Sequence, residues 1–194
     1  PGDLVIANDA ATLPASFQGE HHPSGEAVEV RLAGHTSFAG DDIHHFSAIV
    51  FGAGDFHQRT EDRSLPPALA AGDRLTLGPL CATITGTLNH PRFVQLAFDG
   101  SSDAIWDGIA HHGRPIQYSH MPAPLELWDV WTAFAGPPVA FEAPSAGFAL
   151  DWKTLASMRK KGIRFATITH AAGISSTGDP QLDARLPLDE AYFI

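Results

Sequence analysis

Cysteine is almost missing. Cys81 stands alone in 194 residues, which excludes an intramolecular disulfide and a cysteine-based metal cluster. Long apolar runs are missing too. No stretch approaches the roughly 18–20 consecutive apolar residues of a membrane-spanning helix, although 44% of the chain is hydrophobic. Positive charge is scarce: 12 Lys and Arg face 22 Asp and Glu, a net charge of −10 with histidines neutral. A polyanion binder ordinarily shows a basic balance or a basic stripe. The one dense basic run is Arg159, Lys160, Lys161 and Arg164. At a helix end those cations offset the dipole, and Gly162 ends the turn. The same four side chains are the candidates for RNA phosphate contact. The expected setting is a reducing cytoplasm, with no membrane partner and a monomeric chain.

The length suffices for one large domain or two small ones. Leu4 to Ala7 is a short apolar run behind a Pro-Gly-Asp turn signal, the pattern of a strand. Ala27 to Leu32 alternates Val28, Val30 and Leu32 with Glu29 and Arg31, the period of a half-buried strand. Strands are also expected at Ile43 to Phe51, Arg74 to Leu77, Cys81 to Leu88 and Phe93 to Phe98. Short strands separated by Gly, Pro and Asn predict a small antiparallel barrel over about residues 15–113.

After Asp99-Gly100 the pattern changes. Ser101 or Ser102 caps a helix that stops at Gly113. Glu126 to Ala135 carries apolar residues at helical spacing, ended by Gly136-Pro137-Pro138. Asp151 caps a third helix, Trp152 to Lys161, and Ile163 to Thr169 reads as a buried strand. The fold class is therefore mixed α/β with an inserted small antiparallel β-barrel. Residues 1–14 and 114–194 form the α/β domain, and 15–113 the insert. A cleft between two such parts is a common ligand site.

Eleven histidines include the adjacent pairs His21-His22, His44-His45 and His111-His112. Adjacent side chains diverge in strands and helices alike, and no His-x3-His or Cys-x2-Cys spacing occurs. No metal is expected.

Seven fragments in order resemble one family, the S-adenosylmethionine:tRNA ribosyltransferase-isomerases of queuosine biosynthesis. Pro1-Gly2-Asp3-Leu4-Val5, Asn8-Asp9 and Leu13-Pro14-Ala15 resemble PGDLLVFNDTRVIPARL. Gly25 to Val30 resembles GG-x-[IV]-E-[VL]-L, Ala71 to Leu75 the GD-x-[IL] turn, and Gly113 to Ile116 the approach to a Pro-rich loop. Ala143 to Phe148 resembles AAPTAGLHF. Lys161-Gly162-Ile163 with Thr169-His170 resembles KGV running into LHVG-x-GTF, and Glu190-Ala191-Tyr192 the end of EH-x-MH-x-E. The chain opens on Pro1, and family members extend past both ends of the matched stretch, so a central fragment or a diverged paralogue is expected.

The resemblance implies a reaction. S-adenosylmethionine is a co-substrate that donates its ribosyl group, with no tightly bound cofactor. The acceptor is 7-aminomethyl-7-deazaguanine in tRNA, and the product is epoxyqueuosine. Such chemistry needs a base near the sulfonium-activated carbon, a donor for departing adenine, and polar anchors. The resemblance implies Asp9, His170 and Glu190 as catalytic candidates. It implies Asn8, Pro144, Ser145, Ala146, Gly147 and Ser175 as substrate-binding ones. A strand ending in Asn-Asp offers an amide and a carboxylate to a diol or base edge, or else a turn bonded to its own backbone. His170 has the side chain whose ordinary pKa best suits proton transfer.

Five polar positions of the family pattern are replaced, at Ala11, Ser16, Ala149, Arg185 and Leu188. Two of the missing groups are arginines, whose fork of donors neither Ala nor Ser reproduces. Two functions therefore stand: the enzyme itself, or a paralogue that kept the scaffold and binds a nucleoside-like small molecule or an interaction partner.

Overall fold

A computed structural model describes residues 2–35, 42–186 and 188, with the backbone of 192–193. The architecture is mixed α/β around a closed antiparallel barrel, as the strand spacing predicts. The barrel strands are β3 (Ser16–His21), β4 (Glu26–Gly34), β5 (His45–Gly52), β6 (Arg74–Leu77), β7 (Leu80–Thr87) and β8 (Phe93–Phe98), in the order β3-β4-β5-β8-β7-β6. Before them lie β1 (Leu4–Asn8) and β2 (Ala11–Thr12). After them come α1 (Ser102–His112), α2 (Leu127–Val130), β9 (Pro138–Ala140), α3 (Trp152–Lys160), β10 (Arg164–His170), α4 (Pro180–Asp183) and β11 (Tyr192–Phe193).

The alternation in β4 has the predicted inward face. Val28, Val30 and Leu32 join Phe17, Phe46, Leu75, Leu96 and others inside the barrel, and Ile105 and Ile109 of α1 complete that core. The opposite face of β4 is not solvated. Glu29 and Arg31 are 2% and 3% exposed. A second apolar cluster of Ala33, Ile49, Phe51 and Phe93 lies outside the barrel, covered by Ile174 and Leu182.

Closure depends on Gly19. β3 meets β6 through Glu20↔Thr76 and His21↔Leu75, and a Cβ on Gly19 would lie 2.2 Å from the Thr76 carbonyl oxygen. Backbone cannot yield as a flexible side chain can. Gly19→Ala should therefore destabilise the fold by about 2 kcal/mol, the usual scale of overpacking, read as a lower urea midpoint.

Helix α1 starts where predicted: the Ser101 hydroxyl accepts from the Ala104 N–H. Asp151 caps α3 in the same way, at 2.6 Å from the Thr154 N–H. The helix expected over Glu126 to Ala135 is only the single turn α2. Val130 is buried, its carbonyl accepts from Thr12 Oγ1, and the Trp131 indole donates to Thr12 O at 2.9 Å. These anchors to β2 hold Trp131 in extended backbone and override the helical spacing. Strand β10 forms, but it is not buried: Arg164, Ala166 and Thr167 are exposed.

Candidate functional site

β1 and β10 run parallel, in register from Leu4↔Arg164 to Asn8↔Ile168. Their apolar, partly β-branched sequences suit a strand pair. Their C-terminal ends bring Asn8-Asp9 beside Thr169-His170, and ligands of parallel sheets bind beyond such ends.

Asn8 clamps the two ends together. Its Nδ2 donates to His170 O at 2.8 Å, while its Oδ1 accepts from His170 N at 2.9 Å and Ala10 N at 3.0 Å. The amide acts as one more backbone unit and leaves at most a single N–H for a ligand. Asn8→Ala strips the His170 N–H and C=O of these partners and should cost about 2 kcal/mol. Equilibrium urea unfolding checks it.

The clamp aims Asp9. Its N–H donates to Ile168 O at 2.9 Å, and its carbonyl accepts from Gly136 N at 2.6 Å. Thr169 Oγ1 donates to Asp9 Oδ1 at 2.7 Å. Among the described residues no donor reaches Oδ2. A Cβ on Gly136 would lie 3.5 Å from that oxygen, so the glycine keeps the approach to the carboxylate open. His170 is half-buried at the end of β10. Asp9 and Thr169 thus meet at this mouth, with His170 the next residue along β10.

The Thr132–Gly136 stretch links this mouth to the Pro144–Gly147 loop. A 3-10 turn spans Ser145–Ala149, with Gly147 buried. A Cβ there would meet Thr132 Cγ2 at 2.8 Å and the Phe134 ring at 3.2 Å, so glycine lets the turn lie down on that stretch. Ser145 and Ala146 are exposed and Pro144 is half-exposed. The buried Thr132 Oγ1 has no partner among the described residues.

Ser175 joins a different group. Its hydroxyl donates to Glu142 Oε2 at 2.8 Å, and the Tyr118 hydroxyl donates to Glu142 Oε1 at 2.6 Å. Burial, then the neighbouring Glu142 charge, pushes the Tyr118 phenol well above its ordinary pKa, so it stays a donor. Sequence reasoning missed Glu142 and Tyr118, which stand in no recognisable motif. Glu190 lies outside the described residues.

The basic run is not brought to the mouth. Arg159 and Lys160 end α3, Lys161 caps it, and Arg164 opens β10. All four are exposed. They sit at the N-terminal end of the parallel pair, about 20 Å from His170 at the usual strand rise.

A buried polar cluster around Glu29 went unread in the sequence. The buried Glu29 carboxylate accepts from Ser16 Oγ at 2.9 Å and Arg31 Nε at 2.6 Å, and pairs with the fully buried Arg63. Arg31, Arg63 and Arg92 each lie within 5.2 Å of the Phe51 ring centre. Ser16 and Arg31 face each other across the β3–β4 ladder. Arg31 is thus a cation near position 16, but it is buried and paired with Glu29. The only signal was the unusual charged pair within an apolar strand.

Among the described residues, no group of three or more His, Cys, Asp or Glu side chains could hold a metal ion. No helix there is long and apolar enough to cross a membrane.

Comparison with known proteins places this sequence in a family. The sequence model described as "Queuosine biosynthesis protein" matches residues 1–184. An S-adenosylmethionine:tRNA ribosyltransferase-isomerase of Burkholderia mallei (strain SAVP1) is 30% identical over 176 residues, 89% of this chain and 42% of that protein. The enzyme of the same name from Cytophaga hutchinsonii is 24% identical over 203 positions, 100% of this chain and 53% of that protein. The crystal structure of an S-adenosylmethionine tRNA ribosyltransferase from Thermotoga maritima aligns at 16% identity over 91% of this chain and 43% of that one, with a TM-score of 0.33. The chain spans about half the length of the curated relatives it matches. With its match running over nearly the whole sequence, the chain belongs to the queuosine biosynthesis protein family.

Proposed function

We propose that the chain acts as part of an S-adenosylmethionine:tRNA ribosyltransferase-isomerase. In this reading it moves the ribosyl group of S-adenosylmethionine onto 7-aminomethyl-7-deazaguanine in tRNA and isomerises it to epoxyqueuosine. Family membership supports the reading. The observation that carries it is the Asp9 carboxylate, held by Thr169 at the C-terminal end of β1 with its second oxygen accessible from Gly136.

In this reading Asp9 takes the proton beside the sulfonium. His170 is the group to assist departing adenine, and Ser145 with the Pro144–Gly147 turn offers a hydroxyl and backbone N–H groups to the nucleoside. The cations of Arg159, Lys160, Lys161 and Arg164 would meet tRNA phosphates remote from the reacting base. In the same reading the chain is a cytoplasmic monomer in which 15–113 form an inserted domain, S-adenosylmethionine is consumed as a co-substrate, and no cofactor stays bound.

The test is adenine release from S-adenosylmethionine in the presence of tRNA carrying the precursor base. Release that depends on both substrates supports the reading. None, beside a working relative, overturns it.

One observation favours a paralogue that lost the reaction. Ala10 and Ala11 are buried at 1% and 3% exposure, so the place of a family arginine is packed into the core. Calorimetry separates the two readings: tight tRNA binding with a steep salt slope counts against the paralogue.

A further inference from the structure

Parallel sheets are ordinarily covered on both faces. Among the described residues the β1–β10 pair is bare on one face and only partly covered on the other, where Phe134 packs on Phe165. Leu4 and Ile6 share one face at 47% and 57% exposure, and Ala166, the partner of Ile6, is exposed beside them. On the other face α3 leaves a groove of about 750 Å³ lined by Phe134, Trp152, Leu155, Ile163 and Phe165. Trp152 is 69% exposed, and no residue of α3 is buried. A nine-residue helix whose inner face, at Thr154, Leu155 and Met158, is only half-buried is too short to persist on propensity alone. β1 is also the edge of its sheet, with backbone groups open to another strand.

We propose that this surface is the docking site for a strand–helix unit from the portion that the longer relatives carry outside the matched stretch. A strand extends the pair along β1, a helix covers Leu4 and Ile6, and further apolar side chains fill the α3 groove. The amount of missing chain suits this occupant, since the matched region is 42–53% of those relatives. A second copy of this chain suits it less. Two copies joined along β1 by a two-fold axis would pair their edges and still leave Leu4 and Ile6 bare. Arg159 and Arg164 line the groove and make an acidic margin on the occupant favourable.

The inference rests on family membership and not on activity. Hydrogen exchange needs neither S-adenosylmethionine nor tRNA, so docking and adenine release can fail separately. The probe is the unmatched remainder of the Burkholderia mallei relative, supplied as a separate polypeptide and, in a second form, fused to this chain in the relative's order. Amides of residues 4–8 and 152–160 should exchange at least tenfold more slowly in its presence. Ile6→Asp should abolish that slowing while barrel amides stay protected, and Leu65→Asp, at an exposed site outside the sheet, should not. Unchanged exchange overturns the proposal. So does slowing that Ile6→Asp leaves intact, or self-association of the chain that protects the same amides. A fused remainder that stays exchangeable throughout also counts against it, because the face would have failed to order its partner.

Discussion

Glu29→Gln should lower the stability of the chain by about 3 kcal/mol, the scale of removing one partner from a buried ion pair. The carboxylate is almost wholly enclosed, with Arg31 and Arg63 as its cations and Ser16 as a third donor. Glutamine keeps the shape but leaves two guanidiniums buried without a counter-charge, beside a third at Arg92 whose own pKa is drawn down by burial. Burial pushes the Glu29 carboxyl up, but the charges and hydrogen bonds of Arg31 and Arg63 outweigh it and hold its pKa below the ordinary value. A depressed folded pKa gives stability that is present above the unfolded pKa of about 4.3 and is lost as pH falls through the folded value. The gap between wild type and Glu29→Gln should therefore be constant near neutrality and narrow in acid. Urea midpoints at pH 7 and pH 3 read it directly. A gap that widens in acid would show that Glu29 is not the anion of this cluster.

If the proposed function holds, Asp9→Asn should cut adenine release about a hundredfold or more, the lower end of what a positioned general base contributes. Asparagine retains an oxygen that can accept from Thr169 Oγ1, so the mouth should keep its shape and melting should barely change. The pairing of large kinetic loss with small stability loss marks a proton acceptor. Thr169→Val removes only the donor that orients the carboxylate, and should cost about tenfold through misalignment. Equal losses in the two variants would argue that Asp9 holds the mouth together and takes no proton.

The barrel was legible because its inward faces are built on a period of two. Val28, Val30 and Leu32 mark the interior, and Asn and Gly mark the turns. Caps were legible for the same local reason, as Ser101 and Asp151 need only the next turn of their own helix. β3 was not picked out, because Gln18, Gly19 and Glu20 break the apolar alternation where the seam needs close approach. The helix over Glu126 to Ala135 failed because Trp131 is bound to Thr12, more than a hundred residues away, and spacing along a chain carries no news of such a contact. In the candidate site, the Asp9 and His170 positions came from strand ends and a resemblance. Thr169 gained its role only from register. Arg63 and Arg92 reach Glu29 and Phe51 from loops, and nothing in their neighbours announces it.

The parallel pair has two ends of opposite character, with Asp9 at one and the exposed cations of Arg159 and Arg164 at the other. About 20 Å separates them, more than twice the screening distance of roughly 8 Å at physiological ionic strength. Each end is therefore electrically private. Raising the salt should loosen a polyanion held at the cationic end. In the proposed function the strand pair keeps the phosphate-binding cations apart from the Asp9 carboxylate, and the two can be altered by substitution independently.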